Sequence, residues 1–470
     1  MMVCCAIGSG AKAQDSSSLP PAPMPSPSVM TPRLAGAVVV EKATAGAMPL
    51  GIDEAIALGL KRNLQIELGR QNERRVQGEV LTVENALLPS ITAEAFSSAK
   101  EIDLAAMGFK PAALASFGIK NFSPLVKVDT TGAQLNVSQQ LFNVPAYFLY
   151  RSAQKAVEAA SFATLNERGN VALTVASGYL RALADAAQIT NAQALLKADE
   201  VVLRQATASH DAGVGTNLDV LRARVQLQQQ QQQLITDENT LAKDKIGLNR
   251  LIGLPAEQEL TLTDPVPYEE VAEMPLPQAR DLAYTRRKDY LQLLSELEVA
   301  ERSEKAVKYE YAPTVAFGGF YGLLGETQGL YHGVFAAQGQ VSIPVFREAE
   351  FRGEREVAAS QRIGIRQQIA SLRDTIDEQI REAMLDVESS QDLVKVARSN
   401  VGLSQQVLDD ATDRFRAGVD DNLPVVQAQA TLAGAQTRLV QTLYQYNAAK
   451  LTLARNTGVV ETRYRDYLGR

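Results

Sequence analysis

Residues 212–223 read AGVGTNLDVLRA, and residues 417–428 read AGVDDNLPVVQA. Seven of the twelve positions are identical, among them Gly213/Gly418, Val214/Val419, Asn217/Asn422 and Leu218/Leu423. The stretches lie 205 residues apart, and that spacing continues through Leu227/Leu432, Leu234/Leu439, Lys245/Lys450, Arg250/Arg455 and Gly253/Gly458. Agreement that persists over separated blocks marks a duplicated unit, not a short motif. Upstream, QLNVSQQLF (134–142) matches QGQVSIPVF (338–346) at a spacing of 204. Further upstream, LLPSITAEA (87–95) matches YAPTVAFGG (311–319) through Pro89/Pro313 at a spacing of 224. The change places 20 extra residues in the first repeat, between about 96 and 133, where a long loop is expected. FKPAALASFGIKNFSPL (109–125) reads there as a disordered loop, with a lid or surface epitope as the functional alternative.

Each repeat reads helix, two strands, very long helix, tip, helix. In the last helix of repeat two, Val425, Ala428, Leu432, Ala435, Leu439, Thr442, Tyr446, Ala449 and Leu453 alternate steps of three and four. That is the heptad seam of packed antiparallel or parallel helices. Val220, Ala223, Leu227, Leu234, Leu241 and Leu248 keep the same register in repeat one. No proline interrupts 146–210 or 348–423, and about 65 residues at 1.5 Å each predict helices of roughly 100 Å. The run Gln228–Gln233 is read as a solvated helix face.

The second strand of each pair alternates with period two. In 335–345 the odd positions carry Phe335, Ala337, Gly339, Val341, Ile343 and Val345, while Gln338, Gln340 and Ser342 lie between them. Repeat one shows Leu135, Val137 and Leu141 against Gln134, Asn136, Ser138 and Gln140, with Gln139 as an exception. This is the pattern and length of a membrane β-strand. A half-buried sheet over a soluble core has the same periodicity. Four strands cannot close a barrel, so a membrane reading requires two or three copies to supply 8 or 12.

Composition narrows the function. Basic residues number 47 against 54 acidic, a net charge of −7, which disfavours a nucleic-acid binder. Only two histidines (His210, His332) and two cysteines (Cys4, Cys5) occur, and neither histidine has a triad-like setting, so no catalytic, metal or cofactor site is expected. No apolar run of 18 residues predicts a transmembrane helix. Residues 1–13, ending Ala11-Lys12-Ala13, are expected to be a cleaved signal peptide, and 14–45, rich in Ser and Pro, a flexible leader. Repeat one then spans 46–253, with strands at about 90–142 and coiled-coil helices at about 146–252. A proline-rich connector covers 254–280; repeat two spans 281–458, with strands at about 314–346 and helices at about 348–457; a tail covers 459–470.

With LGIDEAIALGLKRNLQI (50–66), ALLPSITAEA (86–95) and the two AGV-x-x-N-L tips, taken in this order, the chain resembles the TolC-like outer-membrane efflux protein family over about 45–458. The resemblance implies a mainly α fold with a small β-barrel portion: a homotrimer forming a 12-stranded outer-membrane barrel continued by a periplasmic α-helical barrel. It implies a passive duct of a tripartite efflux or type I secretion system, embedded in outer-membrane lipid and served by a periplasmic adaptor protein and an inner-membrane pump of RND or ABC type. It further implies that Gly213, Val214, Asn217 and Leu218, with Gly418, Val419, Asn422 and Leu423, close the entrance and dock the adaptor; a plain coiled-coil turn is the alternative. The connector would lie in an equatorial belt. Relatives often carry acidic rings at the entrance. Here Asp219 is matched by Pro424, and Gln427 is not an acid, so Asp420 and Asp421 are candidate substitutes. Under threefold symmetry six such carboxylates would repel one another. The alternative is that they cap the following helix. The competing function is a periplasmic coiled-coil scaffold without a pore; an enzyme ranks below both.

Overall fold

A computed structural model describes residues 36–39, 43, 46–109, 123–270, 274–327 and 329–469. The expected signal peptide, most of the leader and most of the loop 109–125 lie outside the described residues. The order along the chain is β1 (Met48–Leu50), α1 (Ile52–Arg62), α2 (Leu64–Glu84), β2 (Ser90–Asp103), β3 (Leu125–Phe142), α3 (Val144–Asp211), α4 (Asn217–Ile252), β4 (Leu260–Leu262), α5 (Leu276–Arg286), α6 (Lys288–Lys308), β5 (Thr314–Glu326), β6 (Tyr331–Ser342), α7 (Glu348–Arg416), α8 (Leu423–Asn456) and α9 (Val460–Leu468). The helix–hairpin–long helix–helix unit thus occurs twice, and the long helices α3 and α7 have 68 and 69 residues. The chain forms two compact units.

The first unit holds Arg75–Val157 and Ser295–Ile365. Its sheet has four strands in the order β2-β3-β5-β6, all antiparallel. Ala93, Leu135, Tyr321 and Phe335 stand opposite one another across the four strands, and Ile91, Val137, Val315 and Val341 share their face. Phe335 is 78% exposed, and Ile91, Leu135, Tyr321 and Val341 are exposed with it. On the other face Glu94 accepts hydrogen bonds from Gln134 (3.4 Å) and Asn136 (3.2 Å). The alternation thus gives one face that is apolar around these positions and a second, mixed face on which Phe96, Phe320 and Leu324 stand with Glu94, Gln134 and Asn136. Below the sheet, Ser152 Oγ of α3 donates to the Val299 carbonyl of α6 at 2.9 Å.

Two strand boundaries differ from expectation. β2 runs to Asp103 and β3 starts at Leu125, so longer strands absorb part of the insertion. β6 ends at Ser342, short of 346, because Pro344 has no N–H to continue the ladder.

The second unit is drawn from Pro25–Arg74, Glu158–Leu294 and Arg366–Arg470. The expected seams are its interior: Val220, Ala223, Val425, Ala428 and Leu432 are buried, as are Ile376, Val394 and Ala397. Gln230 departs from the solvated reading of its run, being buried with its amide donating to the Ala192 carbonyl at 3.3 Å. The connector is not irregular throughout. β4 pairs parallel with β1, and Asp264 Oδ2 accepts from the Ile52 N–H and from Tyr179 Oη, both at 2.8 Å. Asp264 thereby caps α1 from 212 residues away, which no local pattern announces. The tail contains α9, whose Tyr464, Tyr467 and Leu468 are buried.

Candidate functional site

The two tips both belong to the second unit. At the first, α3 ends as Gly213 adopts φ +76 and the Val214 N–H reaches back to the Ser209 carbonyl at 3.0 Å. At the second, Gly418 adopts φ +71 and the Val419 N–H donates to the Arg414 carbonyl at 3.1 Å. Both are Schellman endings, in which a glycine without Cβ strain satisfies the last helical carbonyls. The duplicated AGV therefore encodes a duplicated helix stop.

The restarts differ. Thr216 caps α4 through a capping box: the Asp219 N–H donates to Thr216 Oγ1, and the Thr216 N–H donates to Asp219 Oδ2, each at 3.2 Å. The T-x-x-D spacing announces this box in the sequence. α8 has no such box. Asp421 Oδ1 accepts from the Leu423 N–H at 3.1 Å, and Pro424 occupies the first turn, where an N–H is not needed.

The tips are joined. Asn422 is 0% exposed, and its Nδ2 donates to the Asp219 carbonyl at 2.7 Å. Arg222 donates to Asp421 Oδ2 at 3.2 Å and lies 3.8 Å from Asp219 Oδ1; Arg414 donates to Asp420 Oδ2 at 2.8 Å. The three candidate entrance acids are thus brought together, but each is engaged: Asp219 is buried in its box, and Asp420 and Asp421 face arginines. Sequence reasoning missed Arg222 and Arg414, because helix-face arginines carry no signal until the turn places an acid beside them. Asn217 and Asn422 correspond in sequence but not in role, since Asn217 is the exposed first residue of α4.

The tips also present apolar side chains. Val214 is 84% and Val419 66% exposed, with Leu218 and Leu423 exposed beside them. Behind them lies a small core of Val202, Ala206, Val220, Ala223, Ala411, Val425 and Ala428, in which short side chains let the helices approach closely. Further along α3, Asp199 is buried at 2% exposed. Burial pushes its carboxyl up to about 6, and the Gln226 amide opposes this only in part. Asp185 is pushed up to about 7, first by burial and then by Asp244 beside it, against the opposing charge of Arg181.

No group of three or more His, Cys, Asp or Glu side chains arranged to hold a metal occurs among the described residues. No described helix is long and apolar enough to cross a membrane.

Duplicated hairpins, duplicated long helices and an open four-stranded sheet define the fold, and known proteins share it. The family described as outer membrane efflux protein matches residues 55–254 and 279–459. The probable efflux pump outer membrane protein TtgC of Pseudomonas putida is 23% identical over 272 residues, spanning 57% of this chain and 56% of that protein. The pyoverdine export outer membrane protein OpmQ of Pseudomonas aeruginosa is 25% identical over 337 residues, 67% of each chain. Among solved structures, the Campylobacter jejuni CmeC outer membrane channel aligns with a TM-score of 0.74 at 13% identity, over 87% of this chain and 86% of that one. The Vibrio cholerae outer membrane protein VceC aligns with a TM-score of 0.71 at 15% identity, over 87% and 96%. The chain belongs to the outer membrane efflux protein family. It is an outer-membrane protein with a large periplasmic portion.

Proposed function

We propose that this protein is the passive outer-membrane duct of a tripartite efflux or type I secretion system. The observation that carries the proposal is the sheet β2-β3-β5-β6. One face is apolar and open, the other carries Glu94, Gln134 and Asn136 among Phe96, Phe320 and Leu324, and β2 and β6 are its outer strands. Unpaired strand edges are not tolerated in hydrocarbon, so the sheet must close with copies of itself. A homotrimer supplies 12 strands, enough to surround an aqueous lumen. The apolar face then meets outer-membrane lipid and the mixed face lines the duct. A periplasmic coiled-coil scaffold would have no use for an exposed aromatic sheet face.

The exposed Val214, Leu218, Val419 and Leu423, presented on Gly213 and Gly418 turns, are the surface on which a periplasmic adaptor docks. Asn217, Asp219, Asp420, Asp421 and Asn422 shape the entrance. With no nucleotide-binding loop in the chain, transport draws its energy from an inner-membrane pump of RND or ABC type. Reconstitution of the detergent-extracted protein in planar bilayers tests the reading. Discrete conductance from a trimer is expected; a water-soluble monomer without conductance would overturn it.

A further inference from the structure

We propose that a cavity of about 300 Å³ at the start of α9 is an oxyanion site that takes phosphate or a phosphate ester. Gly458, at φ +78, turns the chain from α8 into α9. A Cβ there would stand 2.6 Å from the Arg287 nitrogen and 2.7 Å from the Arg286 carbonyl carbon. Only glycine therefore lets the first turn of α9 close over the α5–α6 junction. The space between is lined by Arg286, Lys288, Arg455 and Arg463, with Glu461 as the one acid.

The charges do not cancel. Glu461 is ion-paired with Arg168, and Arg463 with Asp466. Arg286 has no side-chain hydrogen bond or ion pair among the described residues, and the Lys288 ammonium lies 5.9 Å from the centre of the Phe162 ring without an acidic partner among them. Arg455 donates to two neutral acceptors, Asn166 Oδ1 and Asn170 Oδ1, both at 2.8 Å, and its charge is partly met by Asp289 and Glu167. Three cations thus face one cavity beside the N-terminus of a nine-residue helix, whose first N–H groups and dipole favour an anion.

The duplication supplies a control. Arg62, Leu64, Arg250 and Gly253 in repeat one correspond to Arg286, Lys288, Arg455 and Gly458 in repeat two. In repeat one this position is filled by the chain itself. The Ala37 N–H donates to the Arg250 carbonyl at 2.8 Å, the Val38 N–H to the Arg62 carbonyl at 2.9 Å, and the Leu64 N–H to the Gly36 carbonyl at 3.1 Å. In repeat two the corresponding position lines an open cavity, and the leucine has become a lysine. A charged cavity has replaced a peptide plug.

Equilibrium binding of labelled orthophosphate and of glycerol 3-phosphate to the purified full chain, in chloride buffer of fixed ionic strength, tests the site. Saturable binding at one site per chain is expected, weakened at least about tenfold in an Arg286→Gln/Lys288→Gln variant that loses two charge-assisted contacts. Lys288→Glu, which supplies the cavity with its own carboxylate, should abolish binding while helical content and oligomer size stay unchanged. Equal binding of the two probes identifies the free anion as the ligand, and tighter binding of the ester identifies an esterified headgroup. No saturable binding of either probe, or binding unchanged in the glutamine variant, overturns the proposal.

Discussion

The side-chain amide of Asn422 donates a 2.7 Å hydrogen bond to the backbone carbonyl of Asp219, so the two duplicated tips are tied by one buried contact between residues 203 positions apart. Asn422→Ala removes that bond and leaves a small cavity between the tips, at a cost of about 1 kcal/mol. The expected outcome is faster amide exchange at 213–219 and 418–423, with exchange in the strands unchanged. Unaltered protection at both tips would show that the contact does not hold them.

Removing the cap from one tip separates its restart from its stop. Thr216→Ala loses the box with Asp219 and is expected to destabilise the first turn of α4 by about 1 kcal/mol, while the Gly213 ending persists. Local exchange at 217–220 measures it.

Asp199 makes the packing of α3 sensitive to pH. Its folded value of about 6 lies above the ordinary carboxylate value of 3.8, so the folded state prefers the protonated form. The stability it contributes is complete below about 3.8 and is lost as pH rises through 6. Asp199→Asn is expected to raise stability above pH 6 by about 1–2 kcal/mol and to flatten the pH dependence between these limits. Denaturation midpoints at pH 4.5 and 7.5 decide the matter: equal differences between variant and parent at both would count against it.

Gly418→Trp tests docking apart from folding. No atom lies within 4 Å of an added Cβ at Gly418, so the ring projects into solvent, and the cost is that of a side chain at φ +71, about 1–2 kcal/mol. Export is expected to stop while the trimer still assembles. Normal export would remove the tip from the docking surface.

On the sheet, Phe335→Lys places a charge on the apolar face beside Tyr321. Against lipid this costs about 2–4 kcal/mol near mid-membrane, so outer-membrane insertion should fall. Undiminished insertion would mean that this face does not meet lipid.

The sequence by itself determined the repeat, the helix stops at Gly213 and Gly418, the heptad seams and the alternation of the strands. The repeat is read by comparing segments about 205 residues apart, and the others are short-range patterns for which residues a few positions apart suffice. Tertiary structure alone decided what depends on distant partners. The identical pair Asn217 and Asn422 divides into an exposed residue and a buried tie, because Asn422 meets the other tip. Asp421, a candidate entrance acid, is engaged by Arg222 from the other tip, 199 residues away. Asp264 caps α1 across the fold, and Lys288 lines a cavity where the backbone of Leu64 meets that of Gly36 in repeat one. A hydrogen bond or a charge acts over a few ångströms of space, and only the folded chain says which residues share them.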